Sequence, residues 1–292
     1  MTEYANPDAL VDTDWLEEHL DDPNVRVIEV DEDTSAYDKG HVKGAVGWNW
    51  STDLHADVGR DYVSQAELSD LLSRAGVGAD TTVVLYGGNN NWFAAYAYWI
   101  LKLRGFDNVK LLNGGRKKWE LESRELTQDV PDARPTGLSI AGAERPEIRA
   151  LRDEVISKVG SGVGLVDVRS PEEYRGEKLA PDHLPQEQSQ VPGHIPGAAN
   201  IPWAKAANED GTFKSADELR ALYEAEEPRR VEPGVDARQH RQGAGGSHRG
   251  LPRTARRREG AIGRHQLAEL GHDQPFSTGA PTRLPYSVQE PS

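Results

Sequence analysis

The chain has 292 residues and no cysteine, which excludes disulfides, thiolate metal sites and any cysteine nucleophile. Its length suits about two domains. The net charge is −14, and no stretch approaches the roughly 18–20 apolar residues that a membrane helix needs. The N-terminus is acidic and unlike a signal peptide, so we expect a cytoplasmic protein with no membrane partner.

The charge is unevenly distributed along the chain. Residues 228–292 contain 11 Arg, 6 acidic residues and no Lys, which gives this segment a charge of +5. Because the whole chain has a net charge of −14, residues 1–227 have a charge of −19. Because phosphate contacts require clustered Lys and Arg, we expect no nucleic-acid partner for so acidic a body. An Arg-rich tail acting as a nucleic-acid or membrane arm is an alternative, but the tail lacks Lys and interleaved aromatic residues.

The first half alternates predicted helices and strands. Thr13 is the predicted N-cap of a short helix, and Ser64 and Glu67 form a capping box for a second one. The periodicity of apolar residues predicts the remaining elements. These are strands at Val25–Val30, Thr82–Tyr86 and Val109–Leu112 and a helix at Trp92–Arg104. Alternation with short loops predicts an α/β fold, a parallel sheet flanked by helices.

The same order of elements restarts later in the chain. His41-Val-Lys-Gly-Ala45 is echoed by His194-Ile-Pro-Gly-Ala198, and Val30-Asp31 is echoed by Val166-Asp167. The second half also predicts a helix over 148–158, a strand over 164–168 and a helix behind the capping box Ser215-Ala-Asp-Glu218. Two tandem copies of one fold are indicated.

The repeat then breaks off. We predict a first domain over 8–126, a Pro- and Gly-containing linker over 127–144, a partial second domain over 145–227 and an aberrant tail over 228–292. The tail is poor in apolar residues and rich in Arg, Gly, Pro and Gln, a composition typical of disorder. The second domain is therefore predicted to be incomplete.

These motifs resemble those of the rhodanese family, specifically the two-domain thiosulfate sulfurtransferases. Tyr37-Asp-Lys-Gly-His41-Val-Lys-Gly-Ala45 is similar to the family's first signature, and Gly193–Ala198 repeats its core. Val109–Gly115 followed by Trp119-Glu120 is similar to the closing signature, with Leu112 where an aromatic residue is usual. The resemblance covers about residues 8–227 and implies two tandem rhodanese-like domains.

The resemblance implies transfer of sulfane sulfur from thiosulfate to cyanide or another thiophile, through a persulfide on a cysteine. Backbone N–H groups that lead into a helix N-terminus would lower the pKa of that thiol. In the family the cysteine belongs to the second domain, and here it is expected near position 240, so no catalytic residue is identifiable. In the first copy the matching position is Gly87, in agreement with an inactive first domain.

Five residues are candidates for a substrate pocket. Asp167 and Arg169 follow the second copy's first strand, where the carboxylate would orient loop amides and the guanidinium would hold an anion. A plain ion pair is the alternative. Arg175 is the third candidate. The resemblance, however, places the substrate-binding arginine of the family at Glu173, two residues before Arg175.

The other two candidates are Trp92 and Phe93, which the resemblance places against the sulfur site, where they would exclude water. Ordinary core packing is the alternative. His41 and His194 occupy the same place in both copies, so we interpret them as structural turn residues.

Two explanations account for the missing cysteine. A shifted reading frame from about residue 228 would replace the end of the second domain with an Arg-, Gly- and Pro-rich tail. Alternatively, the protein is a cysteine-free relative that binds partners without transferring sulfur. The first is favoured, because a genuine binding domain should still complete its sheet.

No cofactor or metal is expected, since the sequence has no P-loop and no dinucleotide-binding glycine pattern after a strand. The implied partners are a small-molecule sulfur donor and a thiophile acceptor, with mercaptopyruvate as the alternative donor. The oligomeric state is left open.

Overall fold

The computed structural model describes residues 4–56, 61–182 and 191–225. The predicted tail over 228–292 and the position near 240 lie outside the described residues. Each sequence repeat forms a parallel sheet of its own, with five strands in the first copy and two described strands in the second. The α/β fold with two tandem copies is confirmed.

The first sheet is entirely parallel and has the strand order β1-β5-β4-β2-β3. Its strands are β1 (Leu10–Val11), β2 (Val25–Asp31), β3 (Val46–Asn49), β4 (Thr82–Tyr86) and β5 (Val109–Leu112). Strands β2 and β4 lie at the centre and are almost wholly buried, because helices cover both faces of the sheet.

The helices of the first copy are α1 (Thr13–Glu18), α2 (Ser35–Lys39), α3 (Gln65–Arg74), α4 (Gly88–Leu103) and α5 (Gly115–Leu121). The capping box of α3 is confirmed: Ser64 Oγ accepts from the Glu67 N–H, and the Glu67 carboxylate accepts from the Ser64 N–H. Thr13 as the N-cap of α1 is wrong. Asp12 caps that helix by accepting from the Trp15 N–H, while the Thr13 hydroxyl donates to Glu122.

Two apolar clusters form the core, one on each face of the first sheet. The larger contains α3 and α4 side chains with Trp48 and Trp50, and the smaller packs Leu16 of α1 and Trp119 of α5 against β2 and β4. The predicted linker packs on the larger cluster through Ile140, with Ile148 beyond it. The segment between the copies is therefore held against the first domain.

In the second copy the described strands are β6 (Leu165–Asp167) and β7 (Ala198–Asn200), with helices α6 (Arg152–Lys158), α7 (Pro171–Arg175) and α8 (Ala216–Ala225). The predicted helix over 148–158 begins later than expected, since Leu151 is extended and serves as the N-cap. Helix α6 buries none of its residues, and Ile156 is exposed. The capping box at Ser215 and Glu218 is confirmed.

Candidate functional site

The carboxyl ends of the first sheet's strands carry the loop at Gly87, which the sequence resemblance compares with an active-site loop. Gly87 follows β4, and Asn89, Asn90 and Asn91 all have positive φ before the regular part of α4. The Asp31 carboxylate accepts a hydrogen bond from the Gly88 N–H at 2.7 Å, and the Asn91 side chain accepts one from the Gly87 N–H at 3.0 Å. Both backbone N–H groups therefore donate hydrogen bonds to side chains of the protein itself.

Gly87 has no room for a side chain. A Cβ at this position would lie far inside van der Waals distance of the Val30 carbonyl oxygen, which belongs to the central strand β2. Backbone of a central strand cannot move away without disrupting the sheet. The first copy therefore has no room for a cysteine side chain at position 87.

Burial raises the pKa of Asp31 to about 6, although the hydrogen bond from the Gly88 N–H opposes that shift. Glu29, two residues earlier on the same strand, adds like-charge repulsion that also raises this pKa. The carboxyl group that organises the loop therefore changes its charge between acidic and neutral pH.

A buried polar network lies behind this loop. Arg116 of α5 forms a forked ion pair with Glu29, with its NH2 nitrogen 2.5 Å and 2.7 Å from the two carboxylate oxygens, and also donates to the Gly40 carbonyl. The Tyr86 hydroxyl donates to Glu29 and accepts from the Val42 N–H. Burial and the neighbouring Glu29 raise the pKa of Tyr86 well above its ordinary value. The network joins β2, β4 and α5 beneath the loop.

In the second copy Asp167 and Arg169 form a two-pronged ion pair at the end of β6. Arg169 NH2 lies 2.6 Å from Asp167 Oδ2, and Arg169 Nε lies 3.0 Å from Oδ1. The same guanidinium donates to the Gly193 carbonyl at 2.9 Å. This geometry agrees with the ion-pair interpretation and directs the arginine toward the turn before His194.

Asn200 is a residue of this edge that the sequence reasoning missed. It lies opposite Asp167 in the strand register, as Asn49 lies opposite Asp31 in the first copy. Its side-chain amide donates to the carbonyls of Asp167 and Arg169. The shared aspartate–asparagine register between the copies was the signal that could have found it.

Trp92 lies between the two copies. Its ring packs on Trp203 of the second copy, with ring centroids 4.8 Å apart, and the Trp203 N–H donates to the Val168 carbonyl directly after β6. Trp92 therefore lies close to the edge that carries Asp167 and Arg169. The predicted role of Trp92 in a substrate pocket would require this position.

Further contacts join the same two edges. The Phe213 N–H donates to the Asn113 side chain at 2.9 Å, and Lys118 lies 3.3 Å from Asp210. The Tyr4 hydroxyl donates to the Lys214 carbonyl. The carboxyl edge of the first sheet is thus covered by residues 203–214 of the second copy.

Phe93 is buried in the first domain, where it packs against Trp50 at 5.2 Å and against Trp92. This position agrees with core packing, the alternative weighed for it. Trp92 and Phe93 thus have different surroundings although they are adjacent in sequence.

Arg175 is exposed and its guanidinium pairs with Glu177, which raises its pKa. Glu173, where the resemblance places the family's arginine, is buried and closes a capping box with Ser170 at the start of α7. The structure therefore directs Arg175 to solvent and gives Glu173 a local structural role.

Both predicted turn histidines stack on a tyrosine. His41 Nδ1 lies 2.9 Å from the Tyr37 carbonyl, and His194 Nδ1 lies 2.9 Å from the Tyr174 carbonyl. His41 is buried, and its Nε2 also contacts the Asp129 carbonyl. These contacts agree with structural roles.

Within residues 4–56, 61–182 and 191–225 no group of acidic and histidine side chains is placed to hold a metal ion. Over the same ranges no helix has the length and apolarity needed to cross a membrane.

The parallel five-stranded sheet is followed by a repeat with two described strands, and a glycine-containing loop lies at the facing edge. Together they define a tandem rhodanese-like protein. The sequence profile of the rhodanese-like domain matches residues 12–122 and 151–239. The chain belongs to the rhodanese family, and the second match extends twelve residues beyond the predicted break at 227.

Relatives and solved structures agree with this assignment. A protein of Mycolicibacterium smegmatis, provisionally named a thiosulfate sulfurtransferase, is 58% identical over 221 residues, 75% of this chain and 78% of that protein. The sulfur carrier protein TtuD of Thermus thermophilus is 55% identical over 225 residues, 76% of this chain and 79% of TtuD.

The crystal structure of SseA from Escherichia coli, described among 3-mercaptopyruvate sulfotransferases, shares the fold with a TM-score of 0.63 at 24% identity. It aligns over 75% of this chain and 83% of SseA. The sulfurtransferase family implies a small-molecule sulfur donor and an acceptor as partners.

Proposed function

We propose that the gene encodes a thiosulfate sulfurtransferase. The chain with the present sequence, however, cannot complete the sulfur-transfer reaction. In that reaction a cysteine thiolate attacks the outer sulfur of thiosulfate, the S–S bond breaks and sulfite leaves. Cyanide then attacks the terminal sulfur of the persulfide, which releases thiocyanate and restores the thiolate. The names of the relatives from Mycolicibacterium and Thermus support this reaction class.

The observation that carries the proposal is the complete absence of cysteine in a chain of this family. No other side chain in the protein can form a persulfide, because that intermediate requires a thiol sulfur. The first copy offers no substitute, since Gly87 is packed against Val30. The chain should therefore lack sulfurtransferase activity.

Thiosulfate is the proposed donor because it is the donor in the relatives' names. The fold shared with SseA supports 3-mercaptopyruvate as the alternative donor. Asp167, Arg169 and Trp92 are the proposed pocket residues: the first two pair at the end of β6, and Trp92 packs on Trp203, whose N–H donates to the Val168 carbonyl between them. Phe93, which packs behind Trp92, and Arg175, which pairs with Glu177 at the surface, complete the proposed set.

The test is a thiocyanate assay on the purified full chain with thiosulfate and cyanide, repeated with 3-mercaptopyruvate. The matched positive control is the relative from Mycolicibacterium smegmatis, assayed at equal protein concentration. We expect no thiocyanate above the protein-free background from this chain. Turnover at a rate comparable to that of the relative would refute the persulfide argument.

Sequencing the gene over codons 225–295 separates the two explanations for the missing cysteine. A second reading frame that encodes a strand, a cysteine near position 240 and a closing Trp motif would support the frameshift. An uninterrupted frame with none of these would instead support a cysteine-free binding protein.

A further inference from the structure

A cleft lies at the amino end of the first sheet, opposite the loop at Gly87. Its volume is about 240 Å³, and its walls include Arg26 and Val27 of β2 and the turn at Lys43 and Gly44. Because β2 starts at Val25 and ends at Asp31, the length of the strand separates this cleft from the candidate functional site. The cleft is therefore separate from the candidate functional site.

The Arg26 guanidinium has no counter-ion in the part of the chain that the structure describes. Its Nε is buried without a hydrogen-bond partner, and its NH1 donates only to the Gly44 carbonyl at 3.4 Å. Gly76, after α3, packs against it so closely that a Cβ there would lie 3.1 Å from NH2. The charge is held in place by β2, which pairs Arg26 with Val83 of β4.

The Arg26 side chain is only partly buried, but a buried N–H donor without a partner, such as its Nε, is costly. Burial accordingly lowers the pKa of Arg26. Arginine normally satisfies its five N–H donors with forked contacts to an anion. Among the described residues, the Gly44 carbonyl is the one recorded acceptor for these donors.

Asp21 and Asp22, the acidic residues that line the cleft, make their contacts with groups other than Arg26. Asp22 accepts from the Asn24 N–H at 2.8 Å, and Asp21 pairs with Lys43 at 2.7 Å. The side chains of Lys43 and Asp21 are 61% and 83% exposed, so their ion pair contributes little and Lys43 can turn toward a ligand.

We propose that this cleft binds a small divalent oxyanion of the sulfate or phosphate type, held by the Arg26 guanidinium with help from Lys43. Two oxygens of a tetrahedral anion match the fork of a guanidinium. The cleft is smaller than the roughly 300 Å³ at which pockets for larger organic ligands begin, which favours an inorganic ion. The proposal is independent of sulfur transfer.

The test uses the full chain labelled with ¹⁵N-glycine and titrated with sodium sulfate, with sodium chloride added to hold ionic strength constant. The amide signals of Gly44 and Gly76 should shift and saturate at millimolar sulfate, because both glycines flank the guanidinium. Arg26→Met should weaken the fitted affinity at least tenfold. The matched control, Arg134→Met, removes an exposed arginine elsewhere and should leave the affinity unchanged.

Phosphate in place of sulfate should give the same saturating shifts. Shifts that stay linear with sulfate, or that persist in Arg26→Met, would overturn the proposal. If Arg26→Met does not fold, which its remaining glycine signals would reveal, Lys43→Gln and Asp22→Asn replace it. Lys43→Gln should weaken binding about threefold and Asp22→Asn should strengthen it, and the reverse order would also overturn the proposal.

Discussion

Tyr174 and His194 stack with their ring centroids 3.6 Å apart although 20 residues separate them in the chain. In the first copy Tyr37 and His41 stack at 3.8 Å across only four residues. Each tyrosine hydroxyl also donates to an alanine carbonyl at the start of the following strand: Ala45 directly precedes β3, and Ala198 opens β7. The same unit is thus built in both copies despite the longer connection in the second.

The two histidines should differ in what their removal costs. His41 is buried, both of its ring nitrogens contact carbonyls, and its backbone pairs with Thr127, whereas His194 is exposed. We expect His41→Ala to destabilise the first domain by about 2–3 kcal/mol and His194→Ala to cost less than about 1 kcal/mol. Hydrogen exchange read by mass spectrometry, over peptides from each copy, measures both effects. Equal loss of protection in the two variants would contradict this expectation.

The Glu29–Arg116 pair predicts a larger loss of stability. Arg116→Met leaves the Glu29 carboxylate buried beside Tyr86 without its cation, which should lower the free energy of unfolding by about 3–5 kcal/mol. Urea titration followed by tryptophan fluorescence measures this loss, because all seven Trp precede residue 204. Arg134→Met, at an arginine side chain that is 87% exposed, is the control and should change stability by less than about 0.5 kcal/mol. A loss below about 1 kcal/mol in Arg116→Met would show that the pair does not stabilise the fold.

Features encoded by neighbouring residues were predictable from the sequence. The strand Thr82–Tyr86 and the capping boxes at Ser64 and Ser215 depend on short-range periodicity and hydrogen bonding, and they were predicted correctly. The ion pair between Asp167 and Arg169, weighed as an alternative to a pocket role, also forms between residues only two apart, while the pocket role itself stays a prediction.

Features that depend on distant contacts were not predictable. The positive φ angles of Asn89–Asn91 are set by tertiary hydrogen bonds, from the Gly88 N–H to Asp31 and from the Asn91 amide to the Leu112 carbonyl. Likewise, the contact between Trp92 and Trp203 joins two copies across more than 100 residues. No local pattern encodes either arrangement.

The close packing at Gly87 predicts that a cysteine cannot be installed in the first copy. Gly87→Ala should destabilise the protein by about 1–3 kcal/mol, because the new methyl group collides with the Val30 carbonyl. Gly87→Cys should be at least as unstable and should give no thiocyanate from thiosulfate and cyanide. Gly78→Ala is the matched control, since a Cβ there would make only an ordinary contact at 3.5 Å with Thr81, and its urea midpoint should stay close to that of the parent protein. A Gly87→Cys variant that is stable and active would disprove the packing argument.

The raised pKa of Asp31 predicts a pH dependence of stability with a definite sign. Its carboxyl group titrates near pH 6 in the folded protein and near its ordinary value of 3.8 when unfolded. The folded state therefore holds its proton more tightly, so this contribution to stability is complete below pH 3.8 and is lost as the pH rises through 6. A difference of roughly two pKa units corresponds to about 3 kcal/mol.

Asp31→Asn cannot ionise, yet its side-chain oxygen can still accept the hydrogen bond from the Gly88 N–H. The variant should therefore be more stable than the parent protein at pH 7.5, by about 1–3 kcal/mol, and the advantage should vanish below about pH 4. Urea titrations of both proteins at several pH values between 4 and 7.5 measure the difference, which cancels the titration of all other groups. Asp132→Asn, at an exposed carboxylate, is the control and should follow the parent curve. If Asp31→Asn instead becomes less stable than the parent protein as the pH rises, the charged Asp31 carboxylate stabilises the loop. The sign of the pH dependence argued from its burial would then be wrong.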